Sequence, residues 1–284
     1  MTVPAPVIDW CRQHGWGSIT AADEVGGGCI HRCLRLRTES GPTLFLKLNP
    51  SVPADMFQRE AEGLAALAVA GGPRLPRAHL WGPTFLLLED LRPSGRARGF
   101  WSDLGRQLAA LHDVTAPRFG FDHDNYIGLT PQPNPWTDDG HEFFAAHRLL
   151  HQARLALDAG RLERSDVARL ESLCRHLPSL VPSQPASLIH GDLWSGNVVG
   201  GPDGEPCLLD PACHYGWAEA ELGMTDLFGG FPSEFYEVYA TSRRLAPGWR
   251  ERLPVYNLYH LLNHLNLFGS GYLASVRAIL RRYT

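Results

Sequence analysis

Asp192 and Asn197 stand five residues apart in Leu188-Ile189-His190-Gly191-Asp192-Leu193-Trp194-Ser195-Gly196-Asn197, and Asp210 follows after one more turn and apolar run. A tight loop of that length turns both side chains the same way. The turn Gly201-Pro202-Asp203-Gly204 and the apolar Cys207-Leu208-Leu209 then return Asp210 beside them. Two oxygen donors, Asn197 and Asp210, suit a hard octahedral cation such as Mg²⁺, which keeps some water and completes its shell with phosphate oxygens. Asp192 is left to accept the proton of an attacking hydroxyl. His-Gly-Asp alone is weak, because such an aspartate usually just closes a turn. The whole H-G-D-x-x-x-x-N pattern, followed by an apolar strand and Asp, is much more demanding.

A second signal is the one lysine among 26 basic residues, Lys47, in Thr43-Leu44-Phe45-Leu46-Lys47-Leu48-Asn49. A compact ammonium on a flexible stem reaches phosphate oxygens in a slot too narrow for a planar guanidinium. Lys47 is therefore a candidate phosphate ligand, against the plain alternative of a strand-end charge that snorkels to water. Glu60, on the following helical segment, is placed to pair with it and spare it a lone charge in a cleft. Glu62 is the rival, but it lies roughly 200° from Glu60 around a helix, so only one of them faces the strand. Gly26, Gly27 and Gly28 precede Lys47 as a phosphate-covering turn would, although a plain hairpin explains them nearly as well. Glu89-Asp90-Leu91 ends an apolar run where backbone groups can meet an adenine edge.

These residues need two kinds of scaffold. Val7 to His14 is amphipathic, and strands are expected at Ile19 to Val25, Ile30 to Arg37, Leu44 to Leu48, Ala78 to Trp81 and Phe85 to Leu88. One helix is expected over Pro53 to Ala70, stopped by Gly71-Gly72-Pro73. After the linker Arg92-Pro93-Ser94-Gly95 the pattern turns helical: Gly99 to Asp113, His141 to Ala159, Arg164 to His176, Ala218 to Phe228, Ser233 to Ser242, Glu251 to Phe268 and Ser270 to Tyr283. Thr130 to Asp139 reads as loop. The expectation is an α+β chain of two lobes: residues 1–91 as an antiparallel sheet with one helix, residues 92–284 mainly helical, with the cleft between them.

Composition narrows the partners. At 284 residues the chain can bury a large interior, and 44% hydrophobic with 20% charged residues is ordinary for a globular protein. A net charge of -4 argues against general nucleic-acid binding. No signal-like amino terminus or long apolar window appears, so a cytoplasmic protein without a membrane partner is expected. The six cysteines lack C-x-x-C spacing and signal neither disulfides nor structural zinc.

The chain resembles the aminoglycoside and choline kinase branch of the protein-kinase-like fold, and more closely the fructosamine and ketosamine 3-kinase family. The resemblance is carried by His190 to Asn197, Asp210-Pro211-Ala212 with Tyr215-Gly216, Glu219-x-Glu221-Leu222, Phe228-Gly229-Gly230-Phe231-Pro232, Asn134-x-Trp136-x-Asp138-Asp139, Phe143-Phe144-Ala145-x-His147-Arg148-Leu149 and Leu262-Asn263-His264-Leu265-Asn266-x-Phe268-Gly269. Trp217 and Leu267 depart from the pattern, which touches the substrate side rather than the phosphoryl-transfer core. The resemblance implies ATP-dependent phosphorylation of the third-carbon hydroxyl of a sugar joined to an amine as a ketoamine, a step in deglycation. Trp194, between Asp192 and Asn197, is either a wall for that substrate or a packing residue. His264 is a candidate substrate contact, with a structural histidine as the alternative. Cys29, at the glycine turn, is a candidate redox thiol that would link two chains, so monomer and homodimer both stay open. The competing readings are a kinase of an aminoglycoside- or choline-like compound, a nucleotide-binding module without catalysis, and a metal hydrolase built on His190 with Asp192 and Asp210.

Overall fold

The computed structural model describes residues 3–26 and 30–283. It starts with α1 (Ala5–Gln13), followed by β1 (Ile19–Val25), β2 (Arg32–Thr38), β3 (Leu44–Leu48), α2 (Met56–Leu67), β4 (Ala78–Gly82) and β5 (Phe85–Glu89). The five strands form one antiparallel sheet in the order β1-β2-β3-β5-β4. Alternation on the central strand β3 builds two cores at once. Leu44, Leu46 and Leu48 pack with Val7, Cys11, Leu34, Leu36 and Leu87 under α1. Phe45, on the other face, packs with Phe57, Ala61, Leu64, Leu86 and Leu88 against α2.

The rest is mostly helical: α3 (Phe100–His112), β6 (Thr115–Ala116), β7 (Asn125–Ile127), β8 (Thr130–Gln132), α4 (Gly140–Phe144), α5 (Leu150–Asp158), α6 (Arg164–Leu180), β9 (Ala186–Ile189), β10 (Val198–Gly200), β11 (Pro206–Leu208), β12 (His214–Gly216), α7 (Ala218–Leu227), α8 (Ser233–Ser242), α9 (Trp249–Phe268) and α10 (Leu273–Tyr283). One large core runs through these helices, with α3 on α8 and α7 on α9. The linker is tied down on the β10–β11 hairpin: Ser94 N–H donates to Gly200 O at 3.0 Å, and Ala97 N–H to Gly204 O at 3.0 Å.

Several local expectations change. The loop expected at Thr130 to Asp139 opens with β8, paired with β7. The helix expected over His141 to Ala159 is interrupted by a π-helical turn at Ala145–Leu149, which swings Arg148 into the interior at 1% exposure. α6 continues past His176 to Leu180 through Pro178, in its last turn. Ser270 to Tyr283 divides into a 3₁₀ turn at Ser270–Tyr272 and α10. In the sheet β12-β9-β6, β9 is the strand expected to lead into the His190 loop, whereas β6 and β12 have no counterpart among the expected elements, since strands of two or three residues show no periodicity.

Candidate active site

Lys47 lies on the Phe45 face of β3, by the same alternation that buries Leu46 and Leu48 on the other side. Its side chain, 6% exposed, therefore points toward α2. On α2, Phe57, Ala61 and Leu64 face the sheet at helical spacing, and Glu60 shares that face. Lys47 Nζ donates to Glu60 Oε1 at 2.5 Å and also to Asp210 Oδ1. Glu62 faces away and pairs with Arg59 at 2.9 Å, His123 at 2.8 Å and Gln58 at 2.8 Å. Burial alone would lower the Lys47 pKa, but Asp210 and Glu60 outweigh it and hold the ammonium above its ordinary value. For Glu60, burial prevails over Lys47 and raises the carboxyl. Asp210 is held below the usual range because Lys47 overcomes its desolvation.

The catalytic-loop residues are fixed mainly through backbone contacts. β9 delivers His190, whose Nε2 donates to Leu209 O at 2.8 Å and whose Nδ1 accepts the Asp192 N–H at 3.3 Å. Both ring nitrogens are thereby engaged, and burial lowers the imidazole's pKa. His190 is thus a neutral brace with no lone pair for a metal, which removes the metal-hydrolase reading. Gly191 has φ +84°, and a Cβ there would meet Ala212 O at 2.2 Å. This close approach of two backbones requires glycine. The Ala212 N–H closes it by donating to His190 O at 2.9 Å.

Asn197 sits in a 3₁₀ turn, Ser195–Asn197. Its Nδ2 donates to Asp192 O at 2.9 Å and to Asp192 Oδ2 at 3.3 Å. The Leu209 N–H donates to Asn197 O at 3.0 Å, which holds the Asp210 segment beside the turn. Asp210 itself has φ +57° and a half-exposed carboxylate. Burial raises the Asp192 pKa to about 7, the Asp210 charge adds to the rise, and the Asn197 amide opposes it. With its Nδ2 committed to Asp192, Asn197 keeps Oδ1 to face a cation, and Asp210 offers a carboxylate that is open on one side. That donor pair fits Mg²⁺ completed by phosphate and water oxygens.

Other predicted residues fall in different settings. Gly26 is exposed at the end of β1, whereas Gly27, Gly28 and Cys29 lie outside the described residues. The Glu89 carboxylate accepts from Arg74 at 2.6 Å, and Asp90 is held by Arg35 at 2.7 and 3.2 Å, with Leu91 buried next to it. These acidic side chains are structural, which leaves only main chain at 89–91 to meet a nucleotide. Trp194 is 36% exposed and lays its ring over Gly196, where a Cβ would come within 2.3 Å of it. His264 Nδ1 donates to His260 O at 2.8 Å, and its ring centroid is 4.7 Å from that of Phe228. The ring of Phe228 in turn meets Trp194 at 6.4 Å, so the two candidate substrate contacts belong to one aromatic cluster.

Two features escaped sequence reasoning. Glu221 on α7 accepts the N–H groups of His190 at 2.8 Å and Gly191 at 2.7 Å, and His112 Nε2 at 3.0 Å. His112 Nδ1 accepts from Tyr239 OH at 2.7 Å, so a buried Tyr–His–Glu chain sets the start of the catalytic loop. The second feature is a polar network behind Asp210. Arg148 donates to Asn134 at 2.6 Å, Asn134 to Asn125 at 2.9 Å, and Gln132 to Asn125 at 2.7 Å. Gln132 and Asn125 then donate to Ala212 O at 3.0 Å and Cys213 O at 2.8 Å. A glutamate within an apolar helix was the available clue to the first. Arg148, within a motif already noted, was the clue to the second.

The antiparallel sheet lobe, the lysine–glutamate pair beneath it and the loop carrying Asp192 and Asn197 define a protein-kinase-like fold. Its likeness to an aminoglycoside phosphotransferase structure, TM-score 0.63 at 14% identity over 99% of this chain and 100% of that one, shows the same fold. A family model for fructosamine kinase matches residues 7–284. The chain belongs to the fructosamine kinase family. A probable ketoamine kinase of Synechocystis sp. is 43% identical over 91% of this chain and 88% of that protein. The chloroplastic protein-ribulosamine 3-kinase of Arabidopsis thaliana is 39% identical, covering 98% and 87%. A crystal structure of a candidate fructosamine-3-kinase from Thermobifida fusca superposes with TM-score 0.88 at 34% identity, covering 99% and 100%.

Proposed function

We infer that this protein is an ATP-dependent kinase that phosphorylates the third-carbon hydroxyl of ketoamines. The observation that carries the reading is the convergence of Lys47, held by Glu60, on Asp210, next to an Asp192–Asn197 loop. Names of family members at 39–43% identity over nearly the whole chain supply the acceptor class. In this reading Asp192 lies beside the acceptor hydroxyl and takes its proton as the oxygen attacks the γ-phosphorus of ATP. The bond to the β-phosphate oxygen breaks, and ADP leaves with that electron pair. Lys47 neutralises phosphate charge, and Glu60 fixes its direction. Asn197 and Asp210 would hold Mg²⁺, which supplies charge neutralisation across the phosphates. Residues 1–91 would form the nucleotide lobe and 92–284 the acceptor lobe. No described helix is long and apolar enough to cross a membrane.

Most of the rate arises from positioning and charge complementarity rather than covalent chemistry. A non-catalytic nucleotide module would have no chemical need for the buried Lys47–Glu60 pair and the braced Asp192 together. The test is mass-spectrometric detection of phosphate transfer from ATP to ribose- and fructose-derived ketoamines, with aminoglycoside and choline-like acceptors in the same panel. Transfer confined to the latter would replace the ketoamine reading, and no transfer at all would remove the kinase reading.

A further inference from the structure

The aromatic cluster at Trp194 extends well past the catalytic loop. From Trp194 the ring-to-ring steps are 6.4 Å to Phe228, 4.7 Å from there to His264, and 5.3 Å on to Phe268, with Tyr272 at 5.1 Å from His264. The near end lies two residues from Asp192, and the far end, Phe268, is 58% exposed, the most of any large hydrophobic among the described residues. Trp194, at 36%, is exposed too. The rings form one contiguous run that is exposed at both ends, and a contiguous exposed apolar stretch beside a site is what a ligand covers.

The borders of the run are also open. Gly229, with φ +91°, Gly269 and Gly271 flank it, and a Cβ at any of them would meet nothing within 4 Å. Leu129 is 45% exposed on the β7–β8 turn, whose Gly128 sits where a Cβ would be 3.0 Å from Leu267. Burial lowers the His264 pKa, which favours the neutral ring within the run. The run begins two residues from the proposed base and leads outward.

We propose that Phe228, His264, Phe268 and Tyr272 form a subsite for the amine half of the acceptor, and that this half is an apolar or aromatic group on the ketoamine nitrogen. The proposal rests on the ketoamine reading and deepens it. A sugar whose hydroxyl is at Asp192 has its amine on the Trp194 side, and a flat or aliphatic substituent lies along the rings beyond. Aromatic faces give such groups area and offset stacking with little loss of side-chain freedom.

The test is a series of ketoamines that share one sugar and differ in the amine: methylamine, hexylamine, phenethylamine and a succinate-bearing amine. Wild-type kcat/KM should rise by about 10- to 100-fold from methyl to phenethyl, chiefly through KM. Phe268→Ser should flatten the rise, raising KM for the phenethyl adduct by far more than for the methylamine adduct. Phe268 is exposed, so this variant does not disturb the core. A glycated peptide with phenylalanine next to its modified amine should behave like the phenethyl adduct. A flat wild-type series, or an equal loss on every acceptor in Phe268→Ser, overturns the subsite while phosphorylation of the methylamine adduct keeps the kinase reading intact. No transfer to any ketoamine overturns both.

Discussion

Lys47 and Glu60 offer a way to separate what the cleft charges do for stability from what they do for chemistry. The Lys47 side chain is 6% exposed and that of Glu60 11%, whereas the Asp210 carboxylate is half open to water. Lys47→Met removes the cation and leaves two carboxylates. Asp210 can hydrate, so the destabilisation falls on Glu60, and breaking a buried pair from one side costs about 3–5 kcal/mol. Replacing both partners, Lys47→Met with Glu60→Met, removes the stranded charge as well and should recover all but roughly 1 kcal/mol. The double-mutant cycle then gives a coupling of at least about 2 kcal/mol. A domain of ordinary stability, about 5–15 kcal/mol, survives either change.

Urea titration of the four proteins measures that coupling, and a second pH sharpens it. In Lys47→Met the Glu60 carboxyl has lost its cation, so its folded pKa rises further above the unfolded value. A raised pKa stabilises below the unfolded pKa, and that stabilisation fades as pH rises. The deficit of the single variant should therefore be smaller near pH 5 than at pH 8. Both variants should lose phosphoryl transfer by about 10²- to 10³-fold, as expected when one stabiliser of developing charge is removed. A double variant as unstable as the single, with coupling near zero, would refute the pairing. Full turnover in either would refute the clamp.

Asp192→Asn should lower kcat by about 10²- to 10⁴-fold with ATP affinity by calorimetry largely kept, and unchanged turnover would exclude Asp192 as the base. Glu221→Gln turns an amide N–H toward the N–H groups of His190 and Gly191. It should cost about 1–3 kcal/mol of stability and lower kcat more than it raises KM for ATP; a parent-like kcat would show that the loop holds its shape without the carboxylate. The protein should also be acid-labile. His112, His190, His214 and His260 are at most 5% exposed, and burial lowers the pKa of each, that of His260 to about 3. Below the unfolded histidine pKa of ~6.5 each takes up a proton only on unfolding, so stability falls with pH by up to about 1.4 kcal/mol per unit per residue. The urea midpoint should drop steeply between pH 7 and 5, and a flat profile across that window would contradict the buried neutral state.

The parts of this protein legible in its sequence are those set by neighbours within a few residues or by a fixed period. The sequence offered Glu60 as the partner of Lys47 with Glu62 as its rival, helical angle allowing only one of them to face the strand, and the geometry of β3 and α2 selects Glu60. The two-lobed fold followed from the change of period after Arg92. The brace on the catalytic loop was hidden because its partners are far apart: Glu221 meets His190 across 31 residues, and His112 meets Glu221 across 109. Nothing local marks a buried acid as a partner rather than a surface charge. The π-helical turn at Ala145–Leu149 was hidden for a related reason, since its gain, placing Arg148 on Asn134 and Pro133 O, exists only once the β7–β8 hairpin is folded against it. Chemistry in this chain is written in short motifs. The rigidity that chemistry needs is written in long-range polar contacts, so a variant scan ranked by distance from Asp192 in sequence would overlook His112 and Arg148, on which the geometry of the loop and of the Asp210 segment depends.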